Sequence, residues 1–91
     1  MANKGLFISF EGGEGAGKST LIHKIADWLR SEDREVIETH EPGGTALAGD
    51  IRKLLLEKPA VAPKTELLLF LAARAEHVHE VIDPALKEGK I

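Results

Sequence analysis

The chain has 91 residues, which is enough for one small domain. Its formal net charge of −3, from 12 Lys and Arg against 15 Asp and Glu, excludes the basic surface that nucleic acids and anionic membranes attract. The composition, 43% hydrophobic and 30% charged, is typical of a globular protein, and without cysteine there are no disulfides or thiolate metal sites.

The chain also offers no membrane-spanning or secretory pattern. Its longest apolar run, residues 67–73, is too short to cross a bilayer, and the N-terminus has no apolar core long enough for a signal peptide. We therefore expect a cytoplasmic protein that binds neither nucleic acid nor membrane.

The first half of the chain has the pattern of a strand, a helix and a second strand. Residues 6–10 are almost continuously apolar and end at a glycine cluster, which predicts a strand buried on both faces, as in a parallel sheet. Residues 35–39 predict a second strand, and the Pro-Gly-Gly sequence after it ends that strand. Between them, apolar residues three and four apart predict an amphipathic helix of about four turns, and they are Leu21, Ile22, Ile25, Trp28 and Leu29.

The second half predicts helices. Thr45 is a suitable N-cap for a helix that ends near Pro59, and a further helix begins at residues 63–66. Pro84 permits at most a short further turn, and residues 89–91 resemble the beginning of another strand. The helix after Pro63 carries a predicted core-facing stripe, which consists of Leu68, Leu71, Ala75, Val78 and Ile82.

Residues 12–19 match the phosphate-loop pattern G-x-x-x-x-G-K-[ST] without mismatch, after a predicted strand and before a predicted helix. Glycines allow backbone N–H groups to surround an anion, and the helix adds the positive end of its dipole. Lys18, the predicted catalytic residue, would reach the β- and γ-phosphates, and Ser19 would offer its hydroxyl to Mg²⁺. The alternative, a glycine-rich turn that matches by chance, is disfavoured by the strand and helix around it. The predicted ATP-binding residues are Gly12, Gly13, Glu14, Gly15, Ala16, Gly17, Lys18, Ser19 and Thr20.

Glu14 is an unusual residue for such a loop, because a carboxylate near phosphates repels them unless it points away. Two interpretations stay open from the loop alone. Glu14 either faces water or accepts a hydrogen bond from a hydroxyl of a second substrate.

Three segments, in this order and spacing, resemble bacterial thymidylate kinases, which phosphorylate dTMP with ATP. They are residues 10–20, the Glu-Pro-Gly-Gly-Thr sequence at 41–45, and Leu-Phe-Leu-Ala-Ala-Arg at 69–74. The resemblance covers residues 4–91. It implies an α/β fold with a P-loop NTPase-type parallel sheet and flanking helices, ATP and dTMP as substrates, dTDP as product, Mg²⁺ as cofactor, and a homodimer.

The resemblance also implies how dTMP is bound. Phe70 and Arg74 lie four residues apart, hence on one helix face, and an aromatic ring beside a guanidinium suits a nucleobase. In the family the corresponding Phe stacks on thymine and the Arg hydrogen-bonds the base. From the residues alone, an ordinary core Phe and a solvated Arg are the competing interpretation. Leu67 and His77 share this stripe, about 100° around the helix from the core stripe.

The resemblance places the rest of dTMP against the loop after the second predicted strand. Glu41 and Pro42 would border the sugar and phosphate, Arg52 would meet the monophosphate, and Glu14 would accept from the 3′-hydroxyl. Many relatives have Arg just before the Glu-Pro pair, where this chain has His40. Whether His40 replaces a phosphate contact is open.

The other three histidines carry no metal-binding pattern. His77 and His79 are two residues apart and do not share a helix face, and His23 lies on the polar side of its helix. We interpret all three as structural or surface residues. No Ser-His-Asp arrangement accompanies them, so a hydrolytic triad has no support.

Members of the family that this chain resembles have further segments after those that correspond to residues 4–91. They have a third strand between the first two, an Asp-Arg motif after it, and an arginine-rich lid. We therefore interpret residues 1–91 as the N-terminal portion of a single P-loop kinase domain, inactive and poorly folded on its own, with the core-facing stripe partly uncovered. A P-loop kinase for another small acceptor, a nucleotide-switch NTPase and a non-catalytic relic are the alternatives.

Overall fold

The structure, a computed structural model, describes residues 4–12, 17–57 and 61–91. In these ranges the chain forms α1 (Lys18–Ser31), α2 (Ala46–Glu57), α3 (Pro63–His77) and α4 (Asp83–Lys87), with a π-helical segment, Val78–Ile82, between the last two. The described residues form no β-strand. Contacts divide the chain into two units, one of Met1–Glu38 with Ala85–Ile91 and the other of Thr39–Pro84. None of the helices that the structure describes is long and apolar enough to cross a membrane.

The predicted first helix is confirmed as α1, which has 14 residues. It begins directly after Gly17 and buries Ala26, with Ile22, Ile25 and Leu29 half-buried beside it. Leu21 and Trp28, which the periodicity also placed on the apolar face, are exposed. The buried stripe is therefore narrower than the apolar pattern predicts.

The two segments predicted as strands are not strands in the structure, and the parallel sheet is not shown. Leu6, Phe7 and Ile8 are exposed, so the prediction that this run is buried on both faces is wrong for these residues. Burial on both faces of a strand requires neighbouring strands and two covering layers, which an apolar run does not itself supply.

Residues 90 and 91 nevertheless connect these two segments through backbone hydrogen bonds. Leu6 N donates to Lys90 O over 3.1 Å, Ile91 N donates to Glu35 O over 2.9 Å, and Ile37 N donates to Ile91 O over 2.8 Å. Ile91 donates to the residue before position 36 and accepts from the residue after it, which is the pattern of a parallel pairing between residues 91 and 36. The beginning of the expected third strand thus hydrogen-bonds to both predicted strands.

The end of α1 is joined to the segment before Thr39 by charged side chains. Arg30 Nη1 lies 3.1 Å from Glu38 Oε2, and its Nη2 donates to Val36 O over 3.2 Å. His23 Nδ1 contacts Glu38 Oε1, and the His23 side chain is exposed, which agrees with its interpretation as a structural or surface residue.

The second unit is built on the packing of α2 against α3. Thr45 caps α2 as predicted, since its Oγ1 accepts from Ala48 N over 3.0 Å. The described part of α2 extends to Glu57, and the predicted end near Pro59 lies outside the described residues. The small side chains of Ala48 in α2 and Ala73 in α3 allow the two helices to approach each other closely. The buried core consists of Ala48, Ile51 and Ala73, with Leu55 and Leu69 packed against it.

The predicted core stripe of α3 does not form this core. Leu68 and Leu71 are 65% and 48% exposed, whereas Ala73 and His77 are buried on another face of the helix. The helical period identifies the faces of α3 that can be buried. The face that is buried is the one that contains Ala73, because this small residue packs against α2. Partial exposure of the stripe in residues 1–91 was itself expected. Val78 and Ile82, further along, are half-buried, and the short turn expected around Pro84 is confirmed by the five-residue α4.

Candidate functional site

The phosphate-loop match is described only at its two ends. Gly13, Glu14, Gly15 and Ala16 lie outside the described residues, and so do the roles predicted for them. Gly17, which directly precedes α1, has a φ of 72°, a left-handed conformation that glycine adopts without strain. The Lys18 ammonium turns back toward the start of the loop and donates to Gly12 O over 3.2 Å.

The first turn of α1 has the features of an anion site. Ser19 and Thr20 are exposed, and the described first turn contains no acidic side chain. Its first backbone N–H groups have no partner within the helix, and the helix dipole favours a negative charge there. The described part of the loop is therefore compatible with a phosphate ligand.

In the second unit, a pocket of about 300 Å³ opens beside α3. Four of its six lining residues were predicted to contact dTMP, and Phe70 is 40% exposed, so it is not a core residue. The pocket joins the stripe of α3 to the Glu-Pro-Gly-Gly loop. Its lining residues are Glu41, Pro42, Leu67, Phe70, Leu71 and Arg74.

Glu41 and Arg74 form a hydrogen-bonded ion pair at the wall of this pocket. Arg74 Nε and Nη2 lie 2.9 and 2.8 Å from the same carboxylate oxygen, Oε2. The Arg74 hydrogen bond holds the pKa of Glu41 below its ordinary value, against partial burial, which raises it, and with help from a hydrogen bond to His77. Glu41 is therefore a carboxylate at neutral pH, and it orients the Arg74 guanidinium.

His77 is the residue of this site that sequence reasoning missed. It is 2% exposed, its Nδ1 lies 3.2 Å from Glu41 Oε1, and its Nε2 lies 2.7 Å from Thr39 Oγ1. The available signal was its position three residues after Arg74, on the stripe that contains Phe70. The contact with Thr39 joins residues 38 positions apart, which no local pattern predicts.

The two remaining predicted positions lie near the same loop. Arg52, exposed on α2, is 3.5 Å from Pro42 O through its Nη1, and it is not one of the residues that line the pocket. His40 is exposed, and its ring lies so close to Gly43 that a Cβ there would overlap it. The structure thus brings Glu41, Pro42, Phe70 and Arg74 together and sets Arg52 at the edge of the loop.

Comparison with known proteins agrees with these motifs. The sequence model of the family described as thymidylate kinase matches residues 10–91. The thymidylate kinase of Protochlamydia amoebophila is 56% identical over 91 residues, an alignment that covers 97% of this chain and 40% of that protein. The thymidylate kinase of Thiobacillus denitrificans is 54% identical over 89 residues, covering 98% of this chain and 43% of that protein.

A solved structure is similar as well. The crystal structure of thymidylate kinase from Ehrlichia chaffeensis matches with a TM-score of 0.89 at 42% identity, covering 97% of this chain and 51% of that one. This similarity implies the P-loop nucleoside monophosphate kinase fold. The chain spans about two fifths of the length of the two curated relatives. Because the family match runs through both the phosphate-loop sequence and the pocket-lining helix, the chain belongs to the thymidylate kinase family.

Proposed function

We propose that the protein transfers the γ-phosphate of ATP to dTMP and releases dTDP and ADP. The observation that carries this proposal is the pocket in which Phe70 and Arg74 stand beside Glu41 and Pro42, in a chain of the thymidylate kinase family. A half-exposed aromatic ring next to a guanidinium, at a pocket of about 300 Å³, suits one nucleobase.

For the acceptor, we assign the base to α3 and the phosphate to α2. Phe70 would stack on thymine, and Arg74 would donate to a carbonyl oxygen of the base. Arg52, exposed and near the Pro42 carbonyl, would bind the monophosphate with its guanidinium fork. Glu14 would accept from the 3′-hydroxyl and so favour a deoxynucleotide.

For ATP, we assign the triphosphate to residues 12–20. Lys18 would exchange its bond to Gly12 O for the β- and γ-phosphates, and the backbone N–H groups at the start of α1 would bind phosphate oxygens. The exposure of Ser19 and Thr20 supports this assignment, because their hydroxyls are accessible to a ligand.

Magnesium fits the residues present, in a site completed by the nucleotide. The described residues contain no group of three His, Asp or Glu side chains that could hold a metal ion on its own. Mg²⁺ is commonly held by one or two protein oxygens together with phosphate oxygens and water, and the exposed Ser19 hydroxyl is one such oxygen. When bound, Mg²⁺ supplies neutralisation of the charge that develops on the transferring phosphoryl group.

The reaction itself requires position and charge rather than a general base. The acceptor phosphate of dTMP is already anionic, so no proton needs to be removed before it attacks. Lys18 would neutralise charge on the transferred group, while Arg52, Phe70 and Arg74 would hold the acceptor still, which lowers the entropy cost of the reaction.

We further propose the family's parallel sheet, with residues 90–91 at the start of its central strand. The backbone hydrogen bonds that these residues accept from Leu6 and Ile37, and the one that Ile91 donates to Glu35, support that order. A homodimer in the cytoplasm is the corresponding expectation for the assembly, by similarity to the family.

The test is a coupled assay of ADP release on the natural full-length protein, with dTMP, dUMP, dCMP or no acceptor. We expect turnover that depends on an acceptor and is fastest with dTMP. ATP hydrolysis at the same rate without acceptor would instead indicate a nucleotide-switch NTPase. Faster turnover with dUMP or dCMP than with dTMP would indicate a P-loop kinase for another small acceptor.

A further inference from the structure

We propose that His77 is a positioning residue for base recognition, which holds Glu41 so that Glu41 can fix the guanidinium of Arg74 at the pocket. This inference rests on the proposed function, since it assigns a role to a residue behind the proposed base site. His77 itself does not line the pocket.

The four side chains form a continuous series of hydrogen bonds within the second unit. Thr39 Oγ1 lies 2.7 Å from His77 Nε2, and His77 Nδ1 lies 3.2 Å from Glu41 Oε1. The other carboxylate oxygen, Oε2, accepts from Arg74 Nε over 2.9 Å and lies 2.8 Å from Arg74 Nη2 in an ion pair. Each carboxylate oxygen therefore has its own partner, so rotation of the Glu41 carboxylate would break both contacts.

The partners also define where the imidazole carries its proton. A carboxylate accepts hydrogen bonds and cannot donate, so Nδ1 carries the hydrogen that faces Glu41. In the neutral ring Nε2 is then an acceptor, and the Thr39 hydroxyl donates to it. A ring flip would exchange both contacts, so Thr39 and Glu41 together fix one orientation of a ring that is 2% exposed.

Gly44 provides the space for this ring. A Cβ built at residue 44 would lie 2.6 Å from His77 Cδ2, 2.7 Å from its Nε2 and 2.8 Å from Thr39 Oγ1. Gly44 also has a φ of +86°, where an L side chain is strained. The second glycine of the Glu-Pro-Gly-Gly sequence thus admits the imidazole beneath the loop.

The consequence for the base follows from what a guanidinium can do. Arginine only donates hydrogen bonds, so it binds the carbonyl oxygens of thymine and is mismatched with the exocyclic amino group of cytosine. This discrimination requires the guanidinium plane to be held in place before the base arrives, because a mobile fork loses entropy on binding and can turn away from a mismatched group. Glu41 holds the Nε donor of Arg74 and lies in ion-pair distance of its Nη2, so the position of Glu41 sets the guanidinium plane. His77, which holds Glu41, therefore acts on that plane.

The test uses three variants of the natural full-length protein. His77→Leu removes both ring contacts, and His77→Asn keeps an amide N–H close to the place of Nδ1. His79→Leu is the matched control, since His79 is exposed, two residues further along, and outside the network. Each is assayed for KM and kcat with dTMP, KM with ATP, the ratio of kcat/KM between dTMP and dCMP, and thermal midpoint.

We expect His77→Leu to raise KM for dTMP and to lower the dTMP-to-dCMP ratio, each by about tenfold, with KM for ATP unchanged. His77→Asn should recover most of both losses, and His79→Leu should behave as wild type. A purely structural role would instead lower the thermal midpoint of His77→Leu and leave KM and the ratio unchanged in its folded fraction. That result, or equal losses in the Leu and Asn variants, would overturn the inference.

A second measurement is made on the wild-type protein and depends neither on the folding of a variant nor on enzyme activity. The ¹⁵N shifts of the His77 ring should show that Nδ1, which faces Glu41, carries a hydrogen. A ring protonated on Nε2 alone would overturn the inference. Wild-type protein without dTMP-dependent turnover would refute the proposed function instead, and this is measured before any variant is compared.

Discussion

Glu41→Gln isolates the charge of the carboxylate that holds Arg74. The change preserves the shape of the side chain and leaves an amide oxygen as acceptor. Arg74 therefore loses the opposite charge, while a hydrogen bond from its charged guanidinium to a neutral oxygen remains possible. Arg74 Nε donates to Glu41 Oε2 over 2.9 Å, and Nη2 lies 2.8 Å from the same oxygen, so the contact is charge-assisted. We therefore expect an effect on base recognition that exceeds the effect on stability.

The magnitude follows from the geometry and the exposure of the pair. Hydrogen bonds to charged groups contribute about 1.5–3 kcal/mol and neutral ones about 0.5–1.5 kcal/mol. The bond that remains in Glu41→Gln joins a charged donor to a neutral acceptor, so we take about 1 kcal/mol as the cost of removing the carboxylate charge. The side chains of Arg74 and Glu41 are 65% and 29% exposed, so solvent reduces the contribution to folding to below about 1 kcal/mol. In the complex the base would remove water from Arg74, so the loss of the carboxylate charge would again cost about 1 kcal/mol. This corresponds to about a fivefold rise in KM for dTMP.

Glu38→Gln is a matched control outside the pocket. Glu38 also pairs with an arginine, at 3.1 Å from Arg30, and its side chain is 24% exposed, close to the value for Glu41. Both variants are measured by steady-state kinetics and by urea unfolding. The comparison separates the general effect of losing an ion pair from a specific effect on dTMP binding. Equal effects of the two substitutions on KM for dTMP, or no effect of Glu41→Gln, would refute the reasoning.

Four further predictions concern separate features of the chain. Lys18→Ala should abolish most phosphoryl transfer at saturating ATP and dTMP, whereas Lys24→Ala, on the exposed side of α1, should not; retained turnover in Lys18→Ala would contradict the phosphate-loop assignment. Thr45→Ala should lower the free energy of unfolding by about 1 kcal/mol through loss of the α2 cap, and Thr65→Ala, exposed within α3, serves as its control in urea titrations. Because the Arg74 hydrogen bond lowers the pKa of Glu41 from 4.5, the contribution of the Glu41–Arg74 pair to stability should be complete above about pH 4.5 and lost as the pH falls through the lowered pKa. The difference in unfolding free energy between wild type and Glu41→Gln should then vanish at low pH. A difference that stays constant with pH would count against the pair. Residues 1–91 expressed alone should release ADP at background rate with dTMP, since the family's Asp-Arg motif and lid arginine are not among them, and normal turnover would show that both are dispensable.

The amino-acid sequence by itself determined the local elements of this protein. The extent of α1, the cap of α2 at Thr45, the start of α3 at Pro63 and the short turn at Pro84 depend on side chains within a few residues of each boundary. The face shared by Phe70 and Arg74 likewise follows from their spacing. The phosphate-loop sequence, the Glu-Pro-Gly-Gly-Thr sequence and the segment that contains Phe70 and Arg74 were together sufficient to identify the family.

Only the tertiary structure decided which faces are buried and how Glu41 is held. Leu68 and Leu71 fit the helical period of a core stripe, yet Ala73 is the residue of α3 that packs into the core with α2. His77 meets Glu41 across 36 positions and Thr39 across 38. Contacts at such separations depend on how two helices and a loop approach each other, which periodicity and spacing along one helix do not contain. The same reason explains why residues 6–10 could be identified as an apolar segment from the sequence, while their exposure depended on the neighbours that the fold places beside them.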